Sequence, residues 1–201
     1  MQIVTDSGTD VVMQDANLDD LNIHIVPLQV VLEGVAYKDG LDLDHGHFYE
    51  LLAASKEMPT TSQPSAGAFL DEYKRLREKY QRVYSVHLSG RRSGTIASAE
   101  VARSQIDGVK VVDSLLATGG IALLVDRILT RIDQGVTEEE LDAYIEHFLA
   151  KRTFTFLPTT LDQLHKGGRI GRASHLMGTL LNVKPVLALV DGEVDVHKKV
   201  R

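Results

Sequence analysis

Hydrophobic positions along the chain follow two spacings in turn, and the change from one spacing to the other predicts alternating strands and helices. Short, densely apolar runs predict strands at 2–5, 24–32, 83–88, 109–112 and 153–157. Apolar residues three or four positions apart predict helices at 66–80, 95–106, 115–134 and 138–149. Strands and helices alternating at this spacing predict a parallel sheet with right-handed crossovers, as in a Rossmann-like α/β domain.

Local signals indicate where several of these elements begin or break. Asp44 and Ser65 each precede a helical pattern and suit its N-cap, whereas Thr137 and Glu140 have the spacing of a capping box. Pro27 lies inside the second predicted strand and indicates an edge strand or a bulge there, because proline has no N–H to donate.

The pattern changes after Pro158. A short helix is predicted next, followed by a hairpin that turns through Asp191 and Gly192 in a type I′ turn. We therefore expect two domains, a parallel-sheet α/β domain at 1–157 and the start of a second α/β domain at 158–201.

Residues 84–99 combine a strand, a polar loop and the start of a helix. A helix N-terminus offers unpaired N–H groups and a partial positive charge, which suit a carboxylate or a phosphate. Ser93 adds a hydroxyl, Gly94 lets the backbone come close to a ligand, and Arg91 and Arg92 add formal charge. An ordinary strand–helix loop with Ser93 as the N-cap explains the same residues.

Hydroxyl groups recur where the predicted parallel strands end. Asp6 and Ser7 follow the first strand, and Asp113 and Ser114 follow the fourth. Ligands of open parallel sheets bind at this edge, so the recurrence favours an anion site over a plain loop. For any single residue, an Asx turn is an adequate explanation.

A second polar loop lies at 58–65. Two prolines keep it stiff and extended, and three hydroxyls and an amide follow one another at 60–63. Such a loop can donate hydrogen bonds without adding net charge. The alternative is a simple linker between two helices.

Composition excludes several classes of function. The net charge of −6 and the pI near 5.7 argue against a nucleic-acid-binding protein. The chain has no cysteine, and it lacks the glycine motifs of nucleoside triphosphate and dinucleotide sites, so no cofactor is predicted. No apolar run reaches the roughly 18 residues of a spanning helix, and we expect a cytoplasmic protein without stable membrane insertion.

The segment at 38–47 holds three carboxylates and two histidines. Their spacing fits neither a calcium loop nor a zinc pair on a helix. Asp44 as a helix cap explains the segment better than a metal site, and no metal is predicted. The other histidines are scattered, and none has an obvious carboxylate partner in the sequence.

Taken together, the loops resemble those of the DegV family of bacterial fatty-acid-binding proteins. The matching stretches run in the family's order along essentially the whole chain: Val4-Thr-Asp-Ser7, Ile25-Val-Pro-Leu28, Pro59-Thr-Thr-Ser-Gln-Pro-Ser65, Ser93-Gly-Thr95, Val112-Asp-Ser114, Lys166-Gly-Gly-Arg-Ile170 and Leu180-Leu-Asn-Val-Lys-Pro185. Each stretch is weak alone, and their ordered set is specific.

The resemblance implies two α/β domains with a long-chain fatty acid, such as palmitate, bound between them. It implies that the protein is a carrier and is not itself an enzyme. The carrier would present the fatty acid to a separate fatty acid kinase for acyl-phosphate formation in lipid metabolism. The carboxylate would be held by Thr61, by Ser93 and by the backbone N–H groups of Gly94 and Thr95. The head-group network or domain contact would include Arg169, Ser62, Asp6 and Ser7.

Two departures from the family stand out. Arg92 occupies a position that is usually aliphatic, and members of the family continue beyond Arg201, so the second domain is expected to be incomplete here. Two other functions remain open at this point. One is a hydrolase or phosphotransferase with Ser93 as nucleophile, and the other is an interaction domain without a lipid ligand.

Overall fold

The computed structural model describes residues 1–9, 22–177 and 184–200. The predicted motif at 180–185 therefore lies largely outside the described residues. In chain order, the strands are β1 Gln2–Asp6, β2 Ile23–Val26, β3 Gln29–Leu32, β4 Val35–Lys38, β5 Thr60–Ser62, β6 Val83–His87, β7 Val109–Asp113, β8 Thr155–Phe156, β9 Lys184–Val190 and β10 Glu193–Val200. The α-helices are α1 His45–Ala54, α2 Ala66–Arg77, α3 Thr95–Arg103, α4 Gly119–Asp133, α5 Glu138–Lys151 and α6 Asp162–Lys166, and 3₁₀ turns lie at Ser7–Thr9 and Gly171–Leu176.

The main sheet is parallel, with strand order β2-β1-β6-β7, as the alternation of strands and helices predicts. Gln2 lies opposite Val83, and Val83 opposite Val109, so the carboxyl ends of these strands meet at one edge. Every residue of β1 and β6 is buried. Burial along whole strands is typical of a parallel sheet covered on both faces, and here it includes polar residues such as Thr5, Asp6 and Ser85.

Helices cover this sheet on both faces. On one face, α4 and α5 pack against Ile3, Tyr84 and Val86. On the other, α2 and α3 pack against Val4 and Val83. Alternate residues of β1 and β6 thus enter different cores, because neighbouring side chains of a strand point to opposite faces. The arrangement confirms the predicted α/β class.

The segment predicted as one strand at 24–32 is two strands in two sheets. β2 ends at Val26 in the parallel sheet, and β3 begins at Gln29 in an antiparallel sheet of order β4-β3-β5. Pro27 lies at the break and cannot donate to a sheet ladder. The Leu28 N–H that follows donates to Ser7 Oγ at 3.1 Å, so the break is anchored to the end of β1.

The strand predicted at 153–157 is shorter and lies outside the parallel sheet. As β8, Thr155–Phe156 pairs antiparallel with β9 in a third sheet of order β10-β9-β8. The hairpin turn at Asp191 and Gly192 has positive φ at both residues, 50° and 81°, as predicted for type I′. The domain division after residue 157 stays a prediction.

The caps follow the predictions. Asp44 accepts from His47 N, Ser65 accepts from Ala68 N, and the Thr137 capping box is complete. The helix predicted at 115–134 begins later, at Gly119. Leu115 and Thr118 have φ values of 52° and 50°, which a right-handed helix excludes.

In the part of the chain that the structure describes, no helix combines the length and the apolar character needed to cross a membrane.

Helix α4 gives a test of the main core. Leu124 is fully buried there, and Leu123 beside it is 47% exposed. We expect Leu124→Ala to lower the free energy of unfolding by about 2–5 kcal/mol, because the cavity adds to the lost burial. The matched control Leu123→Ala should change it by about 0.5 kcal/mol or less. Denaturant titrations measure both, and equal losses would contradict this packing of α4.

Candidate functional site

The carboxyl edge of the parallel sheet is organised around a buried carboxylate. Asp6, at the end of β1, is 0% exposed. Its Oδ1 accepts from Gly8 N at 2.9 Å, and its Oδ2 accepts from Leu88 N at 3.0 Å and from His87 Nδ1 at 2.9 Å. The carboxylate therefore holds the turn after β1 and the root of the loop after β6 together.

A chain of buried side chains continues from this carboxylate. His87 Nε2 lies 2.6 Å from Ser85 Oγ, which lies 2.6 Å from Tyr73 OH. All four side chains are 0% exposed. Burial raises the pKa of Tyr73, so its phenol stays neutral. A carboxylate accepts only, which makes His87 Nδ1 the donor to Asp6.

The order Ser85, His87, Asp6 is that of a hydrolytic triad, but these groups are closed to a substrate by their burial. Their bonds instead join two strand ends to α2. The carboxylate partner of His87 is separated from it by 81 positions, and sequence reasoning missed the pair. The available signal was that Asp6 and His87 end predicted parallel strands.

The loop after β6 is also held by the ends of β7 and of the hairpin β9–β10. Gly90 N lies 3.2 Å from both carboxylate oxygens of Asp113, and Ser114 Oγ donates to His87 O at 2.6 Å. Ser89 Oγ donates to Gly192 O at 2.9 Å. Gly192 is required there, because a Cβ would lie 2.3 Å from Ser89 Oγ and its φ is +81°.

Ser93, Gly94 and Thr95 lie at the start of α3. Ser93 Oγ is 2.9 Å from Thr95 Oγ1 and accepts from Thr95 N at 3.3 Å. The N-cap is Gly94, with no side-chain cap bond, so the cap that the alternative interpretation gave to Ser93 lies one residue later. Within the described residues, the Gly94 N–H has no acceptor. A hydroxyl and a backbone donor thus meet at the positive end of a helix.

The loop predicted at 58–65 is partly a strand. β5 pairs antiparallel with β3, with Thr61 opposite Val30, and the side chains of Thr61 and Ser62 are exposed. Gln63 follows and packs over Gly94, where an added Cβ would lie 2.6 Å from Gln63 Nε2. The two polar loops are therefore in contact, and Gln63 is a site residue that the sequence did not single out.

Arg169, which lies after α6 in the later part of the chain, contacts the same loop. Its Nε donates to Arg92 O at 3.3 Å, and Arg92 Nη1 donates to Arg169 O at 3.2 Å. Burial, and then the charge of Arg169, lower the pKa of Arg92. Arg169 also donates to Gly167 O.

The predicted site residues therefore divide into two groups. One group lies on elements that meet at the Ser93 loop: Gln63, directly after the strand of Thr61 and Ser62, contacts Gly94, and Arg169 is bonded to Arg92. Asp6 lies behind that loop, and Ser7 Oγ accepts from Leu28 N. Asp6 and Ser7 thus support the loops from within.

The segment at 38–47 uses its carboxylates locally. Asp42 Oδ2 accepts from Lys38 N at 3.1 Å, and Asp44 caps α1. Over the described ranges, no three His, Asp or Glu side chains come together in a group that suits a metal ion.

Comparison with known proteins agrees with this architecture. A family model described as "Uncharacterised protein, DegV family" matches residues 1–201. A DegV domain-containing protein of Deinococcus radiodurans is 38% identical over 200 residues, covering 99% of this chain and 70% of the relative.

Two solved structures extend the comparison. A DegV family protein from Thermus thermophilus, described for its fatty acid binding, matches with a TM-score of 0.91 and 38% identity, covering 100% of this chain and 71% of that one. The fatty acid kinase B3 protein of Streptococcus pneumoniae was solved loaded with linoleic acid. It matches with a TM-score of 0.84 and 27% identity, covering 100% of this chain and 72% of that one.

The fold and its polar loops place this chain in a class of α/β proteins that includes solved structures described for fatty acid binding. The chain belongs to the DegV family, as its sequence motifs indicate.

The buried carboxylate gives a test of how the edge is held. In Asp6→Asn, an amide NH₂ would face N–H donors. We expect the free energy of unfolding to fall by about 1.5–3 kcal/mol, because a charge-assisted bond is lost and a buried donor is left unpaired.

Asp191→Asn is the control for that substitution. Asp191 is exposed in a left-handed turn, where asparagine fits, and its replacement should be near neutral. Urea denaturation of the two variants at one pH measures the difference. Equal stabilities would show that the Asp6 charge is not required.

Proposed function

We propose that this chain is a carrier that binds one long-chain fatty acid, such as palmitate, and presents its carboxylate to a fatty acid kinase. The observation that carries the proposal is the convergence of the Thr61 strand, the Ser93 loop and Arg169 at the start of α3. Fatty acid binding by the Thermus thermophilus relative supports the same ligand class.

In this proposal the head group is bound mainly by neutral donors. The hydroxyls of Thr61 and Ser93 and the N–H groups of Gly94 and Thr95 donate to the carboxylate, assisted by the positive end of α3. Ser62 and Arg169 complete the surroundings. The Thr95 N–H exchanges its long 3.3 Å bond to Ser93 Oγ for one to the ligand. Four neutral donors satisfy a carboxylate without neutralising it, so an oxygen stays nucleophilic.

The tail supplies most of the binding energy. Burying a palmitoyl tail at ~0.8 kcal/mol per methylene gives on the order of 10 kcal/mol before the costs of association. The chain is 43% hydrophobic with only 5% aromatic residues, which suits an aliphatic lining between the two α/β parts.

Presentation to a kinase is the second part of the proposal. The carrier holds the carboxylate while the partner supplies ATP, and a carboxylate oxygen bonds to the γ-phosphorus as ADP leaves. The Streptococcus pneumoniae relative is named as a component of a fatty acid kinase. Catalysis by Ser93 has less support, because both described partners of its hydroxyl are on Thr95, whereas His87 is bonded to Ser85.

Native mass spectrometry of the purified chain, followed by organic extraction, tests the carrier function directly. We expect one fatty acid per chain, and the extract identifies its tail. A chain that stays empty after incubation with excess palmitate would contradict the proposal for residues 1–201.

The head-group assignment has its own test. We expect Thr61→Val and Ser93→Ala each to weaken palmitate binding about tenfold or more, because each removes a hydrogen bond to a charged group worth ~1.5–3 kcal/mol. Binding of hexadecanol, which lacks the carboxylate, should change little. Isothermal titration calorimetry with both ligands measures the difference.

Ser104→Ala is the matched control, since this hydroxyl lies at the far end of α3 and donates to Val101 O. It should leave both affinities unchanged. If Thr61→Val and Ser93→Ala retain full selectivity for palmitate over hexadecanol, the carboxylate is held elsewhere.

A further inference from the structure

Several cations that bridge elements within the described residues have a carboxylate partner. Arg82 pairs with Glu138 and Lys110 with Asp142 in a groove at the amino end of the parallel sheet. Arg172 lies 3.4 Å from Glu193. These groups need no external anion.

Arg92 and Arg169 differ from these ion pairs. Each side chain donates to the other's backbone carbonyl, at 3.2 and 3.3 Å, so the two cations are fixed together. Within the described residues, no carboxylate lies within ion-pair distance of either. Both lie beside Ser93, the predicted carboxylate ligand.

This arrangement has an electrostatic cost. Burial, and then the neighbouring charge of Arg169, lower the pKa of Arg92, so its charged form is disfavoured in the empty protein. Two like charges held together with no counter-charge are stabilised when an anion binds between them. The carbonyl bonds leave further N–H groups on each guanidinium, which has five.

We propose that Arg92 and Arg169 form a two-arginine site for a dianionic phosphoryl group, next to the carboxylate site at Ser93. The inference rests on the proposed function and deepens it. A carboxylate carries one charge, and its needs are met by the neutral donors described above. A phosphoryl group carries about two charges and three acceptor oxygens, which two guanidinium forks match.

Two sources can supply such a group. In an acyl phosphate the phosphorus is bonded to a carboxylate oxygen, so a phosphoryl group on a fatty acid held at Ser93 lies within reach of the adjoining Arg92. Free inorganic phosphate has the same chemistry without the tail. We assign the lipid-borne group, because Arg92 directly precedes Ser93 on the same loop.

The test compares three probes by isothermal titration calorimetry in phosphate-free buffer near pH 8: palmitate, hexadecyl phosphate and inorganic phosphate. Hexadecyl phosphate is a stable dianion with the tail of palmitate. We expect the unmodified protein to favour hexadecyl phosphate over palmitate, and Arg92→Leu to lower that preference about tenfold while palmitate affinity changes little.

Two further variants separate charge from folding. Arg92→Lys keeps the charge and loses the planar fork, so its preference should be intermediate. Arg91→Leu removes the neighbouring exposed arginine and should leave the preference unchanged. Equal weakening of palmitate and hexadecyl phosphate in Arg92→Leu would overturn the proposal, as would an equal effect in Arg91→Leu.

The remaining outcomes are also distinguishable. Inorganic phosphate that binds as tightly as hexadecyl phosphate, and is lost in Arg92→Leu, supports the two-arginine site and assigns the free ion as its ligand. If neither palmitate nor hexadecyl phosphate binds, the proposed carrier function is wrong. Binding of inorganic phosphate that is lost in Arg92→Leu would then still support the two-arginine site, and no phosphate binding would overturn it. Absence of any phosphate or hexadecyl phosphate binding in a folded protein that binds palmitate overturns the pair.

Discussion

The carboxylate of Asp6 is the interaction on which the carboxyl edge depends. It accepts from three N–H groups, on Gly8, His87 and Leu88, so a buried charge is compensated by donors from two strand ends. Leu88 is the first residue after β6, and its position fixes where the following loop begins. His87 in turn offers its carbonyl to Ser114, which ties the end of β7 to the same point.

This support explains how a site can be built from loops and still be held in place. Behind the Ser93 loop, the hydrogen bonds are buried and saturated, whereas the side chains of Thr61 and Ser62 in front are exposed. The loop is thus held in place before a ligand binds, so less conformational entropy is lost on binding. Gly94 allows this assembly, because any side chain there would displace Gln63 from its contact.

The features that were predictable from the sequence are those set by neighbours in the chain. The caps at Asp44, Ser65 and Thr137 and the turn at Asp191 depend on a few residues each, and all four agree with the structure. The apolar runs also predicted the parallel sheet, although its central strands bury polar residues such as Asp6, Ser85 and His87 beside the apolar ones.

Other features depend on partners far away in the sequence. Propensity could not show that the strand after Pro27 leaves the parallel sheet, because its partners β4 and β5 are chosen by tertiary packing. The same holds for β8, whose two residues pair with β9. The sequence could not show that His87 has a carboxylate partner, because Asp6 lies beside it only through the pairing of β1 with β6. In the candidate site, the motifs supplied the candidate residues, whereas the contact of Gln63 with Gly94 was not predictable from them.

The later part of the chain meets the parallel-sheet part at the loop that carries Ser93. Ser89 donates to Gly192 O, and Arg92 donates to Arg169 O. Both bonds end on backbone carbonyls, and the first also requires a glycine at position 192, where a Cβ would lie 2.3 Å from Ser89 Oγ. One short loop makes both contacts and also carries the proposed anion ligands, so the proposed site directly adjoins the junction with the later segments.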